Sequence, residues 1–168
     1  YEDGHVVILD RRKYPAAIEY VRCADYLEVA QAIADMVTQS GGPWLASAWG
    51  IVSAARCVRG LAEGKAHEEL EKAKNTLVHA RPTVARHMET HLSRILKVAE
   101  RARAEGKDVE AVTRTYVEGI LNKKYLRSRQ IATYTVSLLP SECTMLTQCF
   151  AETLIGFTLL VAREHGKR

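Results

Sequence analysis

The sequence predicts a mostly α-helical N-terminal domain with a small β-hairpin, followed by the first βα unit of an α/β domain. Three observations support this fold class. Apolar residues alternate with period two near the N-terminus, they recur with the helical period over most of the chain, and an apolar run over residues 143–149 precedes a further helical pattern. We expect the two domains to span residues 1–140 and 141–168.

The composition favours a soluble protein with an affinity for anions such as phosphate. The chain has 168 residues, 47% of them hydrophobic, and its 24 basic and 20 acidic residues give a net charge of +4. The basic residues are scattered rather than interleaved with exposed aromatics, which argues against nucleic acid as a partner. No apolar stretch reaches the ~20 residues that cross a membrane. Four cysteines without metal-site spacing indicate reduced thiols in a cytoplasmic protein.

The N-terminal part is predicted to form the hairpin and a capped helix. Residues 5–10 and 17–21 alternate as strands do, and Tyr14-Pro15 breaks the chain between them. From Asp25 the apolar period becomes helical. Asp25 is the expected N-cap, and Glu28 three residues later completes a capping box.

Helices should fill the chain from there to about residue 140. The break Ser40-Gly41-Gly42-Pro43 ends the first helix, and proline suits the first turn of the next one. That second helix is apolar almost all round, so it should be buried at the centre. Further helices are expected over residues 66–79, from the turn Ala80-Arg81-Pro82-Thr83 to 104, and from the cap Asp108 to 138.

The last quarter of the chain predicts the start of a parallel sheet. A turn at residues 139–142 leads into a strand over 143–149, and a helix follows from Phe150 to about Ala162. One strand cannot form a sheet, and Gly166 is typical of a helix end before a second strand. We therefore expect the chain to be the front part of a larger protein, whose remainder completes the sheet.

Three segments resemble the methylthioribose-1-phosphate isomerases and their relatives. Residues 7–20 are similar to the "ILDQTKLP…EYL" opening of that family, and residues 28–55 are similar to its "VRGAPAIG" region. Ala80-Arg81-Pro82-Thr83 resembles its "ARPTAVNL" turn, and Cys149 falls where its "ILTHCN" strand carries a catalytic cysteine. This wider family includes ribose-1,5-bisphosphate isomerases and the α, β and δ subunits of initiation factor 2B.

The resemblance implies a helical domain before a Rossmann-like α/β domain, a sugar-phosphate substrate, no cofactor and a homodimer. The sequence also departs from the family. Ser40 stands where the family has an arginine that is implied to contact the substrate phosphate, Arg86 replaces an asparagine, and residues 150–153 lack the "NAGSIAT" loop. The substrate therefore need not be methylthioribose 1-phosphate.

Cys149 is the candidate catalytic residue. The helix that follows it presents amide dipoles that favour the thiolate, and such a cysteine can carry a proton between C1 and C2 of a sugar. The alternative is a buried packing cysteine, which is how we interpret Cys23, Cys57 and Cys143. By resemblance, the second catalytic group is an aspartate beyond Arg168.

Arg81 is the first candidate for phosphate binding, because a guanidinium in a turn before a helix can hold a phosphate bidentately. The alternative is a surface arginine that caps the preceding helix. The backbone amides of Ser40, Gly41 and Gly42 could cradle the same anion, although a plain turn explains them equally. Arg86 could supply the positive charge lost at Ser40. His87 and His91 are four residues apart but lack a third ligand, so we predict no metal site.

Two functions from different classes follow. The first is an aldose–ketose isomerase of a phosphorylated aldopentose, which Cys149 favours. The second is a non-catalytic regulatory subunit like those of initiation factor 2B, which would bind a sugar phosphate or nucleotide as a sensor. The loss of the arginine at Ser40 favours divergence in substrate or function.

Overall fold

The computed structural model describes residues 1–148 and 151–167, and for Glu152 only the backbone. The chain divides into two compact units, Tyr1–Val117 and Glu118–Arg168. Most of it is helical, and its one sheet among the described residues is a two-stranded hairpin. The mostly helical fold with a hairpin is therefore confirmed, whereas the domain boundary at residue 140 stays a prediction.

The hairpin consists of β1 (Val6–Leu9) and β2 (Tyr20–Cys23), which pair antiparallel with Val6 opposite Cys23. β2 begins three residues later than the alternation suggests. The buried Asp10 organises the connection: its carboxylate accepts the backbone N–H of Arg12 at 3.0 Å and two guanidinium hydrogen bonds at 2.9 and 2.7 Å.

Helix α1 (Tyr26–Ala34) begins at the cap that the sequence predicts. The Asp25 carboxylate accepts the backbone N–H groups of Leu27 and Glu28 at 2.8 and 2.9 Å. Glu28 reaches back, but it accepts the N–H of Ala24 at 2.7 Å rather than that of the cap residue. Asp25 and Glu28 thus satisfy N–H groups that a helix start leaves without partners.

Helix α2 (Gly42–Cys57) is the central helix of the first unit, as its all-round apolar sequence predicts. It contacts α1, β1 and the helices α3 (Glu63–His79) and α4 (Ala85–Ala104). At Gly50 an added Cβ would lie 2.9 and 3.0 Å from the two terminal methyl carbons of Leu77. The absence of a side chain at Gly50 therefore lets α2 approach α3 closely.

The remaining helices follow the predicted order. A short 3-10 turn over Pro82–Val84 connects α3 and α4, and α5 (Val109–Leu138) runs unbroken through Gly119. Asp108 caps α5, because its carboxylate accepts the N–H of Ala111 at 3.0 Å. α3 begins three residues before the predicted start at Ala66.

The second unit contains the C-terminal part of α5 and helix α6 (Glu152–Glu164). Its small core consists of Ala132, Val136 and Val161, with Phe157 and Ala162 packed against it. The Arg129 guanidinium binds both carboxylate oxygens of Glu164, at 3.1 and 3.0 Å. Both hydrogen bonds come from Nη2 of Arg129, and this ion pair joins α5 to α6 within the unit.

The predicted strand at residues 143–149 is not formed over its described part. Residues 143–148 are not in a strand, and the side chain of Leu146 is 98% exposed. A strand needs a neighbour for its N–H and C=O groups, and the described residues offer none beside this segment. The predicted strand is thus wrong for residues 143–148, whereas the helix predicted after it is present as α6. The Rossmann-like domain of the complete protein stays a prediction.

Candidate functional site

The Ser40-Gly41-Gly42 turn lies directly before α2 and leaves its N-terminus open. Ser40 has a φ of 55°, in the left-handed region, and Gly41 is an N-cap without a side-chain hydrogen bond. The N–H of Gly42 donates to the carbonyl oxygen of Gln39 at 2.8 Å, and Pro43 follows in the first helical turn. The first turn of α2 therefore carries the partial positive charge of a helix N-terminus with no acidic side chain on it.

Gly42 has a steric reason to be glycine. A Cβ at this position would lie 1.8 Å from Oγ1 of Thr38 and 3.1 Å from its Cβ. The Thr38 side chain is buried, so the threonine fills the space that a larger residue would need. This contact packs the chain before the turn against the first residue of α2.

Arg81 and Arg86 flank the start of α4. Arg81 precedes Pro82 and has the extended backbone expected there, with φ −146° and ψ 103°. Its side chain is half-buried, whereas Arg86 is exposed in the first turn of α4. Within the described part of the chain neither guanidinium has a hydrogen bond or an ion pair. The N-cap of α4, Val84, has no side-chain hydrogen bond either.

An aromatic cluster brings the two helix starts together. The indole of Trp44, in the first turn of α2, stacks on the imidazole of His91 with ring centroids 5.0 Å apart and planes at 26°. His87, in the first turn of α4, meets the edge of Trp44 at 6.3 Å and the ring of His91 at 4.5 Å. The uncapped N-termini of α2 and α4 are therefore neighbours. The helical spacing of His87 and His91 predicts that they share one helix face, but nothing in the sequence predicts their contact with Trp44 of α2.

The electrostatics of this region suit an anion. Burial lowers the pKa of His91, and the neighbouring His87 and Arg94 lower it further. The His91 imidazole is therefore neutral at neutral pH, flat against the indole. Two helix N-termini and the guanidinium groups of Arg81 and Arg86 provide the positive potential. The predicted phosphate residues Ser40, Gly41, Gly42, Arg81 and Arg86 thus lie at two helix starts that Trp44 connects.

The predicted catalytic residue, Cys149, lies outside the described residues. Cys23 is buried as expected, and burial raises the pKa of its thiol to about 11, with Glu28 and Asp25 adding to the effect. Cys57 and Cys143 are exposed, so the expectation that they belong to the core is wrong. Cys57 is the last residue of α2, and Cys143 lies in the segment where no strand forms.

A cleft of about 660 Å³ lies at the opposite ends of α2 and α4, against the starts of α3 and α5. Its basic side chains already have partners. Arg59 bridges Asp108 and Glu110 at 3.3 Å each, Arg103 donates to the carbonyl oxygen of Val58 at 3.2 Å, and Lys107 pairs with Glu105 at 2.7 Å. We therefore do not place the candidate site there. Across residues 1–148 and 151–167, no three metal-ligating side chains are grouped, and no helix is long and apolar enough to cross a membrane.

A family model described as the initiation factor 2 subunit family matches residues 45–168. The chain belongs to this family. Its curated relatives include proteins named methylthioribose-1-phosphate isomerase from Pelotomaculum thermopropionicum (31% identity, 90% of this chain and 42% of the relative) and Desulforamulus reducens (30% identity, 100% and 51%). The chain spans about half the length of the curated relatives it matches. The predicted family resemblance is confirmed.

Solved structures show the same fold at lower identity. Subunit delta of the translation initiation factor eIF-2B from A. fulgidus aligns with a TM-score of 0.80 and 24% identity over 99% of this chain and 51% of that one. The 5-methylthioribose 1-phosphate isomerase from Pyrococcus horikoshii aligns with 0.74 and 20%, over 99% and 49%. The fold of this chain is therefore one that both an isomerase and an initiation-factor subunit contain.

Proposed function

We propose that the complete protein is an aldose–ketose isomerase of a phosphorylated aldopentose. Candidate substrates are methylthioribose 1-phosphate, ribose 1,5-bisphosphate or a related sugar 1-phosphate. The observation that carries this proposal is the meeting of two uncapped helix N-termini beside Arg81 and Arg86, whose guanidinium groups have no partner among the described residues. The names of the curated relatives support the reaction class.

The phosphate of the substrate would bind at the starts of α2 and α4. The amides of Ser40 and Gly41 would offer their partial positive charge to the anion, whereas the N–H of Gly42 is already bound to the carbonyl oxygen of Gln39 and Gly42 would contribute only its small size. Arg81 would offer a planar fork that matches two phosphate oxygens. Arg86 would add charge where the family's arginine is replaced by Ser40. A helix N-terminus and a guanidinium group both attract a phosphate dianion, so the substrate would be bound through its phosphate.

Cys149 would move the proton of the reaction. In a sugar 1-phosphate the C1 oxygen carries the phosphate, so the ring opens by cleavage of the bond between C1 and the ring oxygen, and that oxygen takes up a proton. A proton then leaves C2 and a proton arrives at C1, while the C2 hydroxyl gives up its proton and becomes the carbonyl group of the ketose. A thiolate can accept the proton from C2 and return it to C1, while a second group handles the hydroxyl proton. By family resemblance, that second group is an aspartate in the part of the protein beyond Arg168.

The test uses the full-length protein and a panel of phosphorylated pentoses. Cys149→Ser should lower kcat by orders of magnitude without unfolding the protein, because a hydroxyl does not ionise near neutral pH. Cys143→Ser, which changes an exposed cysteine, is the control and should keep normal turnover. A Cys149→Ser enzyme with near-normal turnover would exclude the catalytic role.

The phosphate site has its own test. Arg81→Ala should raise KM by about 10- to 150-fold, since a charge-assisted hydrogen bond is worth about 1.5–3 kcal/mol. Lys97→Ala removes one positive charge from an exposed position of α4 and should leave KM nearly unchanged. Equal effects of the two substitutions would show that only net charge matters and that Arg81 is a surface residue.

A regulatory subunit is the second candidate. It is favoured by Ser40, which stands where the family has an arginine. Such a protein would bind a sugar phosphate or nucleotide without converting it. Calorimetry that detects binding of a pentose phosphate, together with NMR of the mixture that detects no ketose product, would favour this function over the isomerase.

The rest of the protein is the expected partner of this chain. We propose that it completes a parallel α/β domain, that the protein forms a homodimer, and that it acts in the cytoplasm. The side chains of Leu138 and Leu146 in the second unit are 85% and 98% exposed, and exposed apolar surface often contacts another part of a protein. Light scattering and isomerase assays on the full-length protein and on residues 1–168 test the dependence on the rest of the protein. A monodisperse and catalytically active fragment of residues 1–168 would contradict it.

A further inference from the structure

The proposed phosphate site leaves one feature at the same place unused. Two imidazoles, His87 and His91, meet at 4.5 Å between the starts of α2 and α4, and both contact Trp44. Histidines are the side chains whose charge changes most readily near neutral pH. A histidine pair at an anion site therefore differs from an arginine, because its positive charge can appear when the anion arrives.

The groups around the pair disfavour a proton while no anion is bound. Arg94 of the same helix and the other imidazole repel positive charge on His91, and its burial against Trp44 acts in the same direction.

The surrounding elements supply more positive than negative charge. Arg81 lies in the turn before α4, and Arg86 lies in its first turn. Glu89 is the carboxylate of α4 between the two histidines in sequence, and Lys74 of α3 already approaches it at 3.6 Å. From α2, the group that contacts the pair is Trp44, which does not titrate. A dianion at the helix starts would make the local charge more negative and would therefore favour a proton on the imidazole pair.

We propose that His87 and His91 are anion-binding residues of this site, and that a phosphate dianion binds together with a proton taken up by the imidazole pair. The inference rests on the proposed phosphate site and adds its pH dependence. It also explains how the site could bind an anion without the arginine that Ser40 replaces, because the imidazole pair would supply positive charge only when the anion is bound. The site would consequently favour a dianionic phosphate monoester and bind it more weakly as the pH rises.

Sulfate is the appropriate probe, because it stays a dianion from pH 5.5 to 8 whereas phosphate itself titrates in this range. Any pH dependence of its binding then comes from the protein. An opposite charge within about 4–6 Å favours the protonated form of a group by tenfold or more. We therefore expect the full-length protein to bind sulfate about tenfold more tightly at pH 5.5 than at pH 8.

Matched variants locate the effect. His87→Asn changes an exposed residue, so it should fold normally and reduce the tenfold ratio. His91→Phe keeps an aromatic ring on Trp44 without a titratable nitrogen and should reduce the ratio as well. His5→Asn removes the histidine that directly precedes β1 and should leave the ratio unchanged. Isothermal titration in two buffers of different ionisation enthalpy should show proton uptake near pH 6.5 in the wild type and less of it in His87→Asn.

The outcomes separate this inference from the proposed function. Sulfate that binds with the same affinity at both pH values, or with a ratio that His87→Asn leaves intact, would overturn the inference while the phosphate site stands. Sulfate that does not bind at either pH, or that binds equally well to Arg81→Ala, would overturn the phosphate site and the inference with it.

Discussion

Gly42→Ala is the substitution that tests most directly how the candidate site is built. The new Cβ would lie 1.8 Å from Oγ1 of Thr38, whereas non-bonded atoms need more than 3 Å. Since Thr38 is buried, its hydroxyl cannot turn away into solvent, and the start of α2 must shift or the threonine must take a poorer rotamer.

The expected magnitude follows from two opposing effects. Overpacking of a buried position typically costs about 1–3 kcal/mol, and replacing glycine by alanine in a helix gains up to about 1 kcal/mol. The net loss of unfolding free energy should be about 1–2 kcal/mol. For a chain of this size, the midpoint of thermal unfolding should then fall by about 2–8 °C.

Urea and thermal unfolding followed by far-UV circular dichroism provide the assay. Gly64→Ala is the matched control: Gly64 also lies in a first helical turn, but a Cβ there meets nothing within 4 Å, so stability should hold or rise. Adding Thr38→Ala to Gly42→Ala should restore part of the loss, because Oγ1 is then gone while the two Cβ atoms stay 3.1 Å apart. A Gly42→Ala protein as stable as the wild type, or a double variant with no recovery, would refute the steric reasoning.

Three further predictions concern the first unit. The pKa of His91 is lowered in the folded protein, so the unfolded chain binds a proton at this residue more readily. The stability that the neutral imidazole contributes is therefore present above pH 6.5 and is lost as the pH falls through the lowered pKa. The decrease in the urea midpoint between pH 7.5 and pH 5.5 should accordingly be smaller in His91→Phe than in the wild type. Asp25→Ala removes the acceptor of two N–H groups at the start of α1 and should cost about 1 kcal/mol in urea unfolding, whereas Asp25→Asn should cost less. Tyr26→Phe removes the 2.6 Å hydrogen bond to Glu69 and should lower the unfolding free energy by about 1 kcal/mol, and a further Glu69→Gln substitution should then have little effect.

Local sequence signals predicted most of the helices well. A capping aspartate, a Gly-Gly-Pro break and a helical apolar period act over a few residues, so α1 begins, and α2 and α4 begin and end, close to the expected positions. The end of α1 was predicted wrongly, because α1 ends at Ala34, before the predicted break at Ser40. The all-round apolar character of α2 likewise predicted its central position, because a helix with no polar face is stable only when protein covers all of its sides.

The C-terminal segment shows where such signals fail. An apolar run such as residues 143–148 reads as a strand, but a strand exists only when another strand accepts its hydrogen bonds. The prediction of a strand in this segment and the prediction of a buried Cys143 are therefore wrong for the same reason. The exposure of Cys57 is a matter of which side of the last turn of α2 faces α1 and α3, which composition does not reveal.

The sequence by itself determined the family, the hairpin, the order of the helices and the residues that flank two helix starts. Only the tertiary structure decided that these two starts are neighbours, through Trp44 stacked on His91, and that Gly42 has no room for a side chain beside Thr38. The physical reason is range: caps, breaks and periods are written in consecutive residues, whereas the approach of α2 to α4 depends on how buried side chains from distant parts of the chain fill one core.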